Sequence, residues 1–163
     1  SIKRYSGHRS WIGDVEQQGW RYHMSDINAA IGIAQLKRFK NLSKKRKILC
    51  KSYDKKFKEI KKINFFKIDY KSVCPHIYVI KITNLKKREL FRKKLLNIGI
   101  QTGIHYFPNY KYKMFKASNK NFPNTEKIYR EIITLPLHPE LNEKLIKYIS
   151  DKVINLSNKS IFY

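Results

Sequence analysis

The ten residues from Ile27 to Leu36 constrain the fold more than any other part of the chain. Eight of these ten are apolar or Gly, so a helix made from them is apolar around nearly its whole circumference. Leaving that surface in water costs roughly 25 cal/mol per Å². Such a helix is therefore expected to be buried on several sides, between domains or between subunits. Ser25 stands where it can cap the helix, and Asp26 places a negative charge at the end that favours one. Met24, immediately before the cap, reads as core. Residues Ser1 to Gln18 have no apolar periodicity, carry Gly7 and Gly13, and read as loop or as the tail of something preceding them.

Further along, Leu42, Arg46, Leu49, Tyr53, Phe57 and Ile60 recur at spacings of three and four, with Lys on the other faces. This is the pattern of a long amphipathic helix that packs one stripe and solvates the rest. A loop is expected through Asn64 and Asp69, then a strand from His76 to Ile82, rich in Ile, Val and Tyr. Leu90, Phe91, Leu95 and Ile98 mark the next helix. Gly99 followed by Ile100 supplies a left-handed residue and an apolar one just after it, the pattern of a Schellman stop. A second strand is expected from Gln101 to Phe107, a loop from Asn109 to Phe122, and a short helix from Pro123 to Glu131. A strand from Ile132 to Leu135 and a final helix from Asn142 to Leu156, capped by Asn142, complete the chain. Few strands alternating with helices imply a small α/β layer structure.

Charge comes next, because a formal +24 would ordinarily point to nucleic acid or an anionic membrane. Of the 36 basic residues, however, only eight are Arg. Lys here accompanies abundant Ile and Asn and scarce Ala, the mixture that A/T-rich codons produce. Arg is the residue suited to bidentate contacts with bases and phosphates, whereas Lys runs such as Lys44 to Lys47 read as a solvated helix face. Nucleic-acid binding is thus a remote alternative. Cys50 and Cys74 are far apart and have no metal-ligand spacing, so they read as buried thiols in a reducing compartment. No apolar span is long enough for a bilayer, and no secretory signal is visible. A cytoplasmic protein without membrane insertion is expected. No Gly-rich phosphate loop, zinc spacing or Ser/His/Asp ordering stands out.

One segment narrows the field. Gly19-Trp20-Arg21-Tyr22-His23-Met24-Ser25-Asp26-Ile27-Asn28-Ala29-Ala30-Ile31-Gly32 closely resembles a motif of the DegT/DnrJ/StrS family of sugar aminotransferases. Ala34-Gln35-Leu36 continues the same helix. Gly99-Ile100-Gln101-Thr102-Gly103-Ile104-His105-Tyr106 resembles the small-domain strand of that family, and Thr134-Leu135-Pro136-Leu137-His138-Pro139 its closing loop. The blocks follow family order and together extend over essentially the whole chain.

The resemblance implies the C-terminal part of a fold-type-I pyridoxal-phosphate transferase, with a small, mostly antiparallel sheet, flanking helices and a long linking helix. Residues 1–24 would end the cofactor-binding large domain, 25–60 would form interdomain and interface helices, and 61–163 the small domain. It implies a homodimer with shared active sites and the cofactor pyridoxal 5'-phosphate. It also implies amino transfer, from an amino-acid donor such as glutamate, to a nucleotide-linked keto-sugar in surface polysaccharide or lipopolysaccharide biosynthesis. The Schiff-base Lys and the Asp that keeps the pyridine ring protonated would lie before Ser1, so this chain alone is expected to be inactive. Arg21 would contact the cofactor phosphate of the neighbouring subunit where the family usually has Asn, its charged fork keeping that role sensible. A plain surface Arg is the competing reading. His23 stands where Arg is commoner in the family, and is read either as a substrate-side contact or as a packing residue. His105 and Tyr106 resemble substrate-facing residues at the edge of the small domain. Glu126 reads as helix-start electrostatics and His138 as loop packing. Two alternatives remain: a pyridoxamine-phosphate-dependent sugar dehydratase of the same fold, and a non-catalytic fragment.

Overall fold

The structure, a computed structural model, describes residues 18–20, 22–115 and 122–163. The chain divides into two compact units, Ser1–Phe39 and Lys40–Tyr163.

Helix α1 runs unbroken from Asp26 to Phe57. Its start is as expected: the Ser25 hydroxyl accepts from the Asn28 amide at 3.3 Å, and Asp26 lies in the first turn. Two separate helices were expected here, but no Pro or Gly interrupts residues 37–41, and helix propagation is cheap once nucleated. The buried residues of α1 are Ser43, Leu49, Cys50, Tyr53 and Phe57; Leu49, Tyr53 and Phe57 belong to the predicted stripe, of which Leu42, Arg46 and Ile60 are half-buried.

Within this chain its first turns are exposed. Ile27, Ile31 and Leu36 are 74%, 57% and 73% exposed, and Met24, read as core, is 73% exposed. Thirty-two helical residues span about 48 Å, and the buried side chains of this helix begin only at Ser43.

Within Lys40–Tyr163, a three-stranded antiparallel sheet has the order β1-β2-β3, with β1 Ile63–Phe65, β2 Tyr78–Ile82 and β3 Ile132–Leu135. Ile63 pairs with Ile82, and Ile80 pairs with Ile133. Tyr78, Ile80 and Ile82 point inward at period two, whereas β3 is buried at every position. Strand β1 was read as loop. Its alternation is only three residues long, too short to separate from a turn by pattern. The expected strand from Gln101 to Phe107 is reduced to one bridge, Gly103 to Thr134. The ladder does not extend because the positions that would pair next on β3's side offer no donor: Pro136 has no N–H, and the Ile132 amide donates back to the Ile128 carbonyl.

Three more helices complete this unit: α2 Arg88–Leu96, α3 Pro123–Glu131 and α4 Glu143–Ser157. The Schellman stop after α2 is present in full. The Ile100 amide donates to Leu95 O and the Gly99 amide to Leu96 O, with Gly99 at φ +79°. The Asn142 side chain accepts from the Leu145 amide at 2.9 Å and caps α4. The core joins α1 to the sheet by stacking of Tyr53 on Tyr78, and α2 to the C-terminal turn Ser160–Phe162 by an edge-to-face contact of Phe91 with Phe162. This anchored frame fixes the segment around residue 103 from both sides.

Candidate functional site

Two tethers define the site. On one side, the Arg92 guanidinium of α2 donates from Nε to Thr102 Oγ1 at 3.2 Å and from Nη2 to the Thr102 carbonyl, while Nη1 bonds Glu89 at 2.8 Å. On the other, the Tyr53 hydroxyl of α1 donates to the Pro136 carbonyl at 3.0 Å. Between them Gly103 and Thr134 exchange both backbone hydrogen bonds, at 2.9 and 2.8 Å. The two stretches singled out in the sequence, 99–106 and 134–139, are thus neighbours in space.

A hollow of about 260 Å³ opens along this seam, with His76, Gln101, Gly103, His105, Thr134 and Pro136 on its walls. His105 is half-buried, its Nδ1 lying 2.9 Å from Thr134 Oγ1, and the Tyr106 ring meets the imidazole edge-on with centroids 4.7 Å apart. Tyr106 is itself 66% exposed. Of the residues expected at a site, His105 lies on the wall of the hollow, and Tyr106, its neighbour in sequence, does not. His23, in the other unit, is exposed, and Arg21 lies outside the described residues. Thr134, Gly103, Gln101 and His76 were not singled out individually. The first three lie inside the family-like blocks, so the signal for them was present. Nothing in the sequence marked His76.

The hollow has no Lys or Arg on its wall. A doubly charged phosphate would find no fixed positive charge there, so the residues of this hollow do not fit as the holders of a phosphate-bearing cofactor. They suit a neutral, hydroxyl-rich group, with an imidazole, a carboxamide and backbone groups to meet it.

Other clusters have structural uses. Tyr78 donates to Asp54 Oδ1 at 2.8 Å, and burial, followed by the Asp54 charge, holds its hydroxyl firmly protonated. Burial, reinforced by Asp54, pushes the Cys50 thiol up to about 12. A buried thiol so disposed is inert, as its sequence context implied, while Cys74 is only half-buried. Glu126 does more than complement a helix start: it accepts from Tyr110 and pairs with Lys111 at 2.7 Å, which holds its carboxyl below the usual range. His138, read as loop packing, is exposed; its carbonyl accepts from the Leu141 amide to close a turn. A larger hollow of about 890 Å³ includes Lys61, Lys62, Lys86, Lys127 and Arg130. Its carboxylates are engaged within the fold, Glu131 accepting from the Asn84 amide at 2.8 Å and Glu126 as above. It has the chemistry expected of any concavity on a Lys-rich surface. Among the described residues no group of His, Cys, Asp and Glu has the arrangement of a metal site, and no helix is long and apolar enough to cross a membrane.

Comparison with known proteins decides the family. Residues 2–154 match the DegT/DnrJ/EryC1/StrS aminotransferase family. The chain belongs to this family. A UDP-4-amino-4,6-dideoxy-N-acetyl-beta-L-altrosamine transaminase of Campylobacter jejuni is 32% identical over 157 residues, 93% of this chain and 42% of that protein. The Bacillus subtilis spore coat polysaccharide biosynthesis protein SpsC is 32% identical over 152 residues, covering 86% of this chain and 38% of its own length. Among solved structures, the PLP form of a Streptococcus pneumoniae protein described as a sugar aminotransferase superposes with a TM-score of 0.81 at 27% identity. That match covers 91% of this chain and 39% of the other. Helicobacter pylori PseC, an aminotransferase involved in pseudoaminic acid biosynthesis, gives 0.79 at 26% identity, over 90% and 41%. The fold is thus that of the sugar aminotransferases. The chain spans about two fifths of the length of the curated relatives it matches.

Proposed function

We propose that the protein to which this chain contributes is a pyridoxal-phosphate-dependent transaminase that aminates a keto-sugar carried on a nucleotide, with glutamate as donor. The observation that carries this reading is the family match over residues 2–154, together with 32% identity to a UDP-sugar transaminase. The hollow beside His105 supports it chemically, since uncharged polar groups on a rigid seam suit sugar hydroxyls. In this reading residues 1–24 end the large domain, 25–60 form the interface helices and 61–163 the small domain. The exposed apolar face of α1 at Ile27, Ile31 and Leu36 is what a large domain and a second subunit would cover. Arg21 contacts the cofactor phosphate across a dimer, and His23, His105 and Tyr106 face substrate. The covalent Lys and the pyridine-pairing Asp belong to residues outside this chain. Surface-polysaccharide synthesis in the cytoplasm is the setting.

The test is direct. The complete gene product, supplied with the cofactor, glutamate and a UDP-4-keto-6-deoxy sugar, should form amino-sugar and 2-oxoglutarate in equal amounts. The 163-residue chain alone should form neither. Sugar dehydration without any amino donor would overturn the reading in favour of a lyase, and amino transfer by the 163-residue chain alone would overturn the assignment of the covalent Lys.

A further inference from the structure

The seam that shapes the hollow contains a specific device for holding one imidazole. His105 Nδ1 is 2.9 Å from the hydroxyl of Thr134, which sits within β3 and is only 6% exposed. A β-branched side chain is restricted at χ1, which limits the directions in which this hydroxyl can point. The other requirement is space. A Cβ built at Gly103 would lie 2.9 Å from His105 Cε1, 3.4 Å from Nδ1 and 3.7 Å from Thr134 Cβ. The glycine is not there for backbone freedom, because its φ lies outside the left-handed range and its amide and carbonyl both pair with Thr134. What glycine contributes at this point is the absent side chain, and the ring occupies the room.

We infer that Gly103 and Thr134 are positioning residues for His105. Gly103 leaves the slot in which the imidazole lies, and Thr134 engages Nδ1 so that Nε2 is the ring nitrogen available to a ligand in the hollow. The Thr134 hydroxyl can accept from a protonated Nδ1 or donate to a bare one, so the contact orients the ring in either tautomer. The frame behind the pair is itself anchored, by Arg92 on Thr102 and by Tyr53 on Pro136. Gly103 and Thr134 meet the ring from this anchored frame, while the exposed Tyr106 meets it edge-on from its own side. The consequence for turnover rests on the reading of His105 as substrate-facing; the positioning itself does not.

The experiment separates the two. In the complete gene product labelled with ¹⁵N in the histidine rings, at a pH where His105 is neutral, the wild type should give the signals of an imidazole hydrogen-bonded at Nδ1. Thr134→Val keeps shape and removes the hydroxyl, and should move both ring-nitrogen signals towards those of an unpartnered, exchanging imidazole. Thr134→Ser should restore the wild-type pattern. Gly103→Ala should fold, since the clash is with a side chain, and should reproduce the Thr134→Val signature. It also provides the readout should the valine variant be unstable. Amino transfer should fall by up to about 10²-fold in kcat/KM in Thr134→Val and Gly103→Ala, the order expected for an ångström-scale misplacement. Ring signals unchanged in both variants, or a serine variant no better than valine, overturn the inference. Altered ring signals with unaltered amino transfer uphold it, and refute instead the substrate-facing reading of His105.

Discussion

The two ends of α1 obey the same helical rules and meet opposite fates. From Ser43 to Phe57 the helix shows one apolar stripe and buries it, with Tyr53 and Phe57 fully inaccessible. From Ile27 to Leu36 it is apolar on nearly all sides, yet in this chain Ile27 and Leu36 stand 74% and 73% exposed. The difference teaches that hydrophobic pattern states a demand for burial without saying who meets it. A single stripe can be satisfied by one sheet, which this chain provides. A full apolar circumference needs covering from several directions.

The largest test of this contrast is a pair of truncations on the one helix. Phe57→Ala should destabilise the chain by about 3–5 kcal/mol, as removal of a buried ring from a packed core does. Ile27→Ala should change it by under about 0.5 kcal/mol, as at other exposed positions. Urea unfolding midpoints of the 163-residue chain measure both, and comparable losses at the two sites would erase the distinction.

Alkali should reach the buried end next. Burial first, and Asp54 second, raise the Cys50 thiol from 9.0 to about 12. The neutral thiol is then the form the fold prefers, so this contribution is complete below pH 9 and is lost as pH rises from 9 towards 12. Stability measured across that window should decline, and less steeply in Cys50→Ala. At pH 8 a thiol reagent should modify Cys74 while Cys50 stays unreactive until the chain unfolds.

Smaller effects sharpen the frame around the site. Tyr53→Phe deletes the bond to the Pro136 carbonyl and should cost about 1 kcal/mol. Asn142→Ala removes the α4 cap and should cost a similar ~1 kcal/mol. Equal unfolding midpoints for these variants and the parent would show both bonds to be idle.

The smallest expected change in stability carries a visible change in association. Replacing Ile31 and Leu36 together by Asn should leave the unfolding midpoint within about 0.5 kcal/mol of the parent. The parent, with its apolar face uncovered, should associate at concentrations where the double variant sediments as a monomer. A parent chain that is monomeric throughout would break the comparison.

The sequence by itself determined the local stops and starts, because each depends on a few neighbouring atoms. The Ser25 and Asn142 caps, the Gly99 stop, the α1 stripe and the bounds of α3 and β3 were all legible, since capping and periodicity act within one or two turns. The family was legible too, from blocks whose order no accident would reproduce. Only the tertiary structure decided that residues 101–107 make one bridge instead of a strand, because pairing Gly103 with Thr134 sets Gln101 opposite Pro136, which has no N–H, and His105 opposite Ile132, whose amide is already bonded to Ile128. It also paired Gly103 with Thr134 and set His105 between them, a contact spanning 29 residues. Such pairings follow from how whole elements pack, and no short-range pattern encodes where an element distant in sequence will come to rest.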